Sequence, residues 1–357
     1  MFNTLFTLRL GGREVSLHTY GVLIALGLAA GIALAYRQAR RQGMDDGRVL
    51  DAAFWMIVAG LVGSRLLYGL VNAGEFARVC FHGGGMSRSA GAVLSDCTRI
   101  LAIWQGGLVF YGGVAGAALV GFRFARREGW SFATFGDLFA PALALGHAFG
   151  RLGCFAAGCC FGKVGGGALA TSFPRGSVAF DELASAGAIP AGWQNTPGLH
   201  PTQLYEAVGE LMIFATLLVM RPRVRRQPGT LLVVYLGLYA LLRFFVEIFR
   251  GDVIRGLVFA LDTPRLARWL HLPPKEPLFL SVGQLGSLIV FALCAVVWTR
   301  MRRDTPPVTR PASVRKPEPE SVPESVPESV AEQMDRASTQ TEQRASAWND
   351  SDGSDET

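Results

Sequence analysis

The apolar residues of this chain come in blocks the length of a bilayer, not in amphipathic stripes. The blocks run at about 17–36, 50–71, 101–122, 132–150, 204–220, 230–249 and 278–299. Each is close to the ~20 residues that a helix needs to cross the hydrocarbon core. Backbone groups in lipid have to bond within their own segment, so such blocks predict helices. Glycine is frequent inside them, as where helices pack closely in a membrane. A large soluble helical protein would show apolar stripes instead. The expectation is an all-α integral membrane protein with seven transmembrane helices.

Arginine sets the expected orientation. Arg37, Arg40, Arg41 and Arg48 follow the first block, and Arg123, Arg126 and Arg127 follow the third. Arg221, Arg223, Arg225 and Arg226 follow the fifth, and Arg300, Arg302 and Arg303 follow the seventh. The positive-inside rule assigns these clusters to the cytoplasm. The N-terminus and the loops 72–100, 151–203 and 251–277 then face outward and the C-terminus is cytoplasmic. The rule is weakest in the last outer loop, which carries Arg255, Arg265, Arg268 and Lys275. The first block has no basic region directly before it and no small-x-small exit, so it reads as a retained span.

Composition changes after Arg303. From Asp304 onward there are five basic residues against twelve acidic ones, a net −7, which leaves +13 on the membrane body of a chain whose total is +6. The stretch is rich in Pro, Ser, Glu and Gln and contains PESVPESVPESV. Such a sequence cannot bury enough apolar surface to fold. Residues 1–303 are therefore expected to form the membrane domain and 304–357 a disordered acidic cytoplasmic tail.

The six cysteines imply no disulfide framework. Cys80 and Cys97 share one outer loop and would be able to pair if that compartment is oxidising. Cys154, Cys159 and Cys160 are too few for a structural zinc site, which takes four ligands. Cys294 reads as a small apolar residue inside a span. No metal, cofactor or nucleic acid is expected.

Several polar residues sit where the chain meets lipid. In GHAFGRLGCFAAGCCFGK, from Gly146, Arg151 falls at the outer end of the fourth block. An unpaired charge at membrane depth is expensive, so a fixed cation there implies an anion to hold. RFFVEIFR places Arg243 at the same depth on another span, with Glu247 four residues on as an intrahelical partner. Tyr20, beside His18 at the start of the first span, suits an interfacial anchor. GGLVFYGG, from Gly106, surrounds Tyr111 with close-contact glycines. HPTQLYE brings His200, Thr202, Gln203, Tyr205 and Glu206 to the start of the fifth span. There Thr202 and Glu206 suit helix capping as well as function. His147 lies one turn before Arg151.

Taken in order, HTYG at His18, GSRLLY at Gly63, GGLVFYGG at Gly106, GRLGCFAAG at Gly150, HPTQLYEA at His200, RFFVEIFR at Arg243 and LSVGQLGS at Leu280 resemble the prolipoprotein diacylglyceryl transferase family. The resemblance implies a seven-span enzyme of the bacterial inner membrane. It also implies transfer of the diacylglyceryl group of phosphatidylglycerol to the lipobox cysteine thiol of a preprolipoprotein signal peptide. A thioether forms and glycerol 1-phosphate leaves. Arg151 and Arg243 correspond to essential arginines of the family and Tyr20 to its first-span tyrosine; His200–Glu206 correspond to a family motif.

The chemistry suits these residues. The nucleophile is the acceptor's thiolate, and two guanidinium forks can chelate the leaving phosphate. Arg151, Arg243, Tyr111 and His147 are the candidate catalytic residues. Arg151, Arg243, Tyr20, His200, Gln203, Tyr205, Glu206 and Glu247 are the candidates for binding phosphatidylglycerol. Two departures stand out. Tyr111 replaces a family histidine that is a candidate base, and Cys154 replaces an asparagine. Tyr111 is a poor base unless cations depress its pKa, which leaves His147 as a substitute. The same departures fit a relative with another donor or acceptor; the rival from another class is a non-catalytic lipid-binding membrane protein or transporter. A transporter would more often show repeated halves, and no internal duplication is present.

Overall fold

The computed structural model describes residues 4–10, 13–74, 107, 109–165, 167–190, 192–224, 227–251, 257–261, 268–269, 271 and 278–303. The loop holding Cys80 and Cys97, and all of 304–357, lie outside the described residues. The described part is a helical bundle with two hairpins at its edges. Strands β1 (Thr4–Leu10) and β2 (Arg13–His18) pair antiparallel. They lead into α1 (Thr19–Gln42) and α2 (Asp46–Val71). Next come α3 (Phe110–Arg127), α4 (Phe132–Ala157) and the short α5 (Val178–Ser185). The long α6 (Thr202–Val224) and α7 (Thr230–Phe249) follow. Strands β3 (Leu257–Leu261) and β4 (Leu278–Ser281) form the second hairpin and run into α8 (Val282–Arg303).

Six helices, α1, α2, α4, α6, α7 and α8, are long and apolar enough to cross a membrane. At about 1.5 Å per residue each matches a core of roughly 30 Å. The chain is a multi-pass membrane protein. Its lipid-facing side is apolar: Leu70 is 72% exposed and Met212 62%, a surface that a water-soluble monomer does not carry. The expected third span corresponds to α3, which is 18 residues long and ends in three arginines at Arg123, Arg126 and Arg127.

The body is all-helical apart from these two short hairpins, which the hydropathy blocks do not announce. Thr4–Leu10 and Arg13–His18 alternate apolar with polar residues around a Gly11-Gly12 pair, a hairpin signal overshadowed by the apolar block beside it. The fourth helix is also longer than its apolar block. It runs seven residues beyond Gly150 to Ala157. Hydropathy falls at Arg151, but the helix stops only where Gly158 takes a left-handed φ of 73°. There Cys159 N donates to Cys154 O and Gly158 N to Phe155 O, a Schellman ending that favours glycine.

Helix α4 is the hub, packing against α1, α6 and α7. Near its start, the Asp137 carboxylate accepts from Gly229 N at 2.8 Å and Leu232 N at 2.9 Å. It thereby caps α7 from a neighbouring helix, satisfying donors that a helix start leaves open. Helices α2 and α3 approach until the Gly63 and Gly112 backbones touch, a contact that excludes any side chain at either position. The glycines of GSRLLY and GGLVFYGG therefore serve close packing.

Candidate active site

Arg151 lies on the penultimate turn of α4 and points at α6. Its Nε donates to His147 Nε2 at 3.2 Å and its Nη2 lies 2.9 Å from Glu206 Oε1. His147 Nδ1 sits 2.7 Å from Glu210 Oε1. The carboxylates fall one turn apart on α6 and are buried, with 2% and 0% side-chain exposure. His147 is thus engaged at both nitrogens. The ring holds Arg151 by Nε2 and is itself fixed by Glu210 through Nδ1. Arg151 Nη1 is uncommitted among the described residues.

Arg243, on the last two turns of α7, repeats the pattern. Its Nη2 is 2.7 Å from Glu247 Oε2. Nη1 is buried and has no hydrogen-bond partner among the described residues. Glu247 Oε1 accepts from Ser281 Oγ at 3.1 Å. Ser281 and Gln284 close a turn on each other at the start of α8, where Ser281 N donates to Gln284 Oε1 and Gln284 N to Ser281 Oγ. Gln284 Nε2 reaches Phe244 O at 3.3 Å. The LSVGQLGS segment therefore braces Glu247, which braces Arg243. Tyr239, one turn before Arg243, packs on His147 with ring centroids 5.1 Å apart. By that contact and its place one turn from Arg243 on α7, it links the two clusters.

The HPTQLYE residues hold the chain that follows α4. Thr202 Oγ1 donates to Cys160 O at 2.8 Å and Gln203 Nε2 to Cys159 O at 2.7 Å. Thr202 thus ties a loop to α6. Gly162 N donates to His200 O at 2.9 Å and Lys163 N to Phe249 O at 2.7 Å. The loop is stitched between the start of α6 and the end of α7. His200 is buried; its Nδ1 faces the Tyr205 hydroxyl at 3.2 Å and its ring packs on Phe249 at 5.0 Å. Burial holds its pKa below the ordinary histidine value, because losing water penalises the charged form.

Arg151, Glu206 and His147 thus come together, as do Arg243 and Glu247. His200, Gln203 and Tyr205 lie behind the loop that carries the cysteines. Tyr20 lies beside Gly153, where the absent side chain lets α1 approach α4. Tyr111 stands apart: it is 77% exposed and its described ring neighbour is Phe110. Sequence reading missed Glu210, Tyr239, Ser281 and Gln284. The first two were legible from i, i+4 spacing to Glu206 and Arg243 inside apolar helices, where a polar group needs a partner.

Fold and site define a polytopic membrane protein with two braced arginines near the ends of separate spans. Residues 7–300 match the family model of prolipoprotein diacylglyceryl transferase. The chain belongs to that family. It is 29% identical over 249 residues to a phosphatidylglycerol–prolipoprotein diacylglyceryl transferase of Clostridium tetani, covering 70% of this chain and 86% of the relative. The Thermosynechococcus vestitus protein of the same name is 32% identical, with 69% and 81% covered. That of Synechococcus elongatus is 28% identical over 304 residues, with 84% and 89% covered.

Proposed function

We propose that this protein transfers the diacylglyceryl group of phosphatidylglycerol to the lipobox cysteine thiol of preprolipoproteins in the bacterial inner membrane. A C–S thioether forms, the C–O bond to phosphate breaks, and glycerol 1-phosphate leaves. The observation that carries the site assignment is the matched state of the two arginines. Each spends one Nη on a buried carboxylate and keeps the other Nη uncommitted among the described residues. Two such donors on separate helices suit two oxygens of one phosphate. As the diester becomes a monoester its charge grows, and donors fixed beforehand favour that change.

In this reading Arg151 and Arg243 are the catalytic residues. His147, Glu206, Glu210 and Glu247 orient them, and Tyr239 fills the space between. Tyr20 lines the α1 side near the phosphate. His200, Gln203 and Tyr205 act through the loop they hold. Helix α3 supplies a seventh span, the N-terminus faces outward and the site opens to the outer leaflet. Residues 304–357 are a disordered cytoplasmic tail that transfer does not require.

The test is transfer from phosphatidylglycerol to a lipobox peptide by purified protein, beside growth rescue of a strain depleted of its own transferase. Thioether-linked diacylglyceryl on the peptide cysteine is expected. Rescue failure together with no product from this donor would overturn the reading.

A further inference from the structure

Resting on that reading for the acceptor, we propose that Cys154, Cys159 and Cys160 form a three-thiolate site for a thiophilic divalent cation, Zn²⁺. Its fourth position takes the acceptor cysteine thiol. The three sulfurs all lie within 4.8 Å of one another. Tetrahedral zinc with Zn–S near 2.3 Å needs sulfurs roughly 3.8 Å apart, a gap that small side-chain torsions close. Three ligands are too few for a structural zinc site. They are the usual number for a catalytic one, which keeps a position open.

The cluster is built into the fold. Cys154 sits on the last turn of α4, and the left-handed Gly158 turns the chain back so that Cys159 and Cys160 return beside it. Cys160 itself has φ 59°, a region that non-glycine residues rarely occupy. The carbonyls of Cys159 and Cys160 are held by Gln203 and Thr202, whose residues are each 1% exposed. All three cysteines are free and half-buried, so a further ligand has access. Arg151 is three residues before Cys154, on the same helix face. Thiol and phosphate would therefore meet at one place.

Such a site would ionise the acceptor, a task for which neither candidate base among the described residues is placed. The acceptor reacts as a thiolate, yet Tyr111 is exposed and both His147 nitrogens are engaged. A thiol that binds zinc loses its proton. In the step proposed, the acceptor S–H bond breaks, a Zn–S bond forms, and the proton passes to water at the mouth of the site. The sulfur pair then attacks the glyceryl carbon, the C–O electrons leave with the phosphate, and the metal is released from the thioether. No oxidant or reductant takes part.

Full-length protein is purified in detergent with a thiol reductant and its metal is measured. About one zinc per chain is expected, falling below roughly a tenth of that in Cys154→Ala, Cys159→Ala and Cys160→Ala. Cys294→Ser, away from the cluster, keeps it. With cobalt in place of zinc, thiolate-to-cobalt absorption bands should shift on adding a lipobox peptide and stay unchanged with its cysteine-to-serine counterpart. Arg151→Ala should retain metal while losing transfer. Three freely alkylated thiols without stoichiometric metal, a disulfide within the cluster, or a cobalt spectrum indifferent to the thiol peptide would each overturn the site. Chelated protein that transfers at full rate would overturn it and leave the transferase reading intact. Zinc bound, cobalt responsive and no diacylglyceryl moved would instead sink the transferase reading alone.

Discussion

Replacing Arg243 by lysine probes the proposed phosphate clamp most sharply. Arginine at this position commits one arm, Nη2 to Glu247 at 2.7 Å, and keeps Nη1 buried without a described partner. A lysine keeps the charge but has one nitrogen, which Glu247 claims. The phosphate then loses one charge-assisted hydrogen bond, worth about 1.5–3 kcal/mol. At 1.36 kcal/mol per factor of ten, transfer should fall roughly 10- to 150-fold in kcat/KM. The contact strengthens as charge grows on the leaving phosphate, so most of the loss should appear in kcat. The assay is initial-rate transfer to a lipobox peptide over a range of phosphatidylglycerol in mixed micelles, with protein amount matched by quantified membrane insertion. Arg243→Ala should be slower still. If lysine supports kcat/KM within about threefold of wild type, a single point charge suffices and the two-oxygen clamp is wrong.

Other expectations follow from the same geometry. His147→Ala should cost at least tenfold in rate by releasing Arg151, and raising the pH should not restore it, unlike loss of a general base; Tyr111→Phe should stay near wild type. Gly112→Val should sharply lower folded yield, because its side chain would enter the Gly63 backbone; detergent-resistant monodisperse protein is the readout. Ending the chain near Arg310 should leave transfer unchanged in the peptide assay. Burial keeps the folded pKa of His200 below 6.5, so as pH falls through 6.5 the unfolded chain takes up the proton first. Stability should therefore drop on acidification from pH 7 towards 5 and level off below the folded pKa; thermal unfolding of wild type against His200→Asn measures it.

Much of the architecture was legible because hydropathy in lipid is a strong constraint. The 230–249 block is the same as α7, Thr230–Phe249. The 132–150 block missed the end of α4, since a charged residue ends an apolar run without ending a helix. The arginine positions were legible, as was the i, i+4 partnership of Arg243 with Glu247. The contacts of HPTQLYE were not: read along the chain, Thr202 is a helix cap, and only the fold brings Cys160 O to its hydroxyl. His147 looked like a spare base by spacing to Arg151. Its second partner, Glu210, lies 63 positions away in sequence, so its engagement at both nitrogens was invisible to spacing.

The matched arginines have a bearing on turnover. A bare pair of guanidiniums would grip a doubly charged phosphate monoester more tightly than the diester it came from, and the enzyme would stall on its own product. Glu206 and Glu247 already satisfy one arm of each cation. In the proposed clamp their negative charge would weaken the hold on the departing headgroup, so that release into the aqueous phase competes with rebinding.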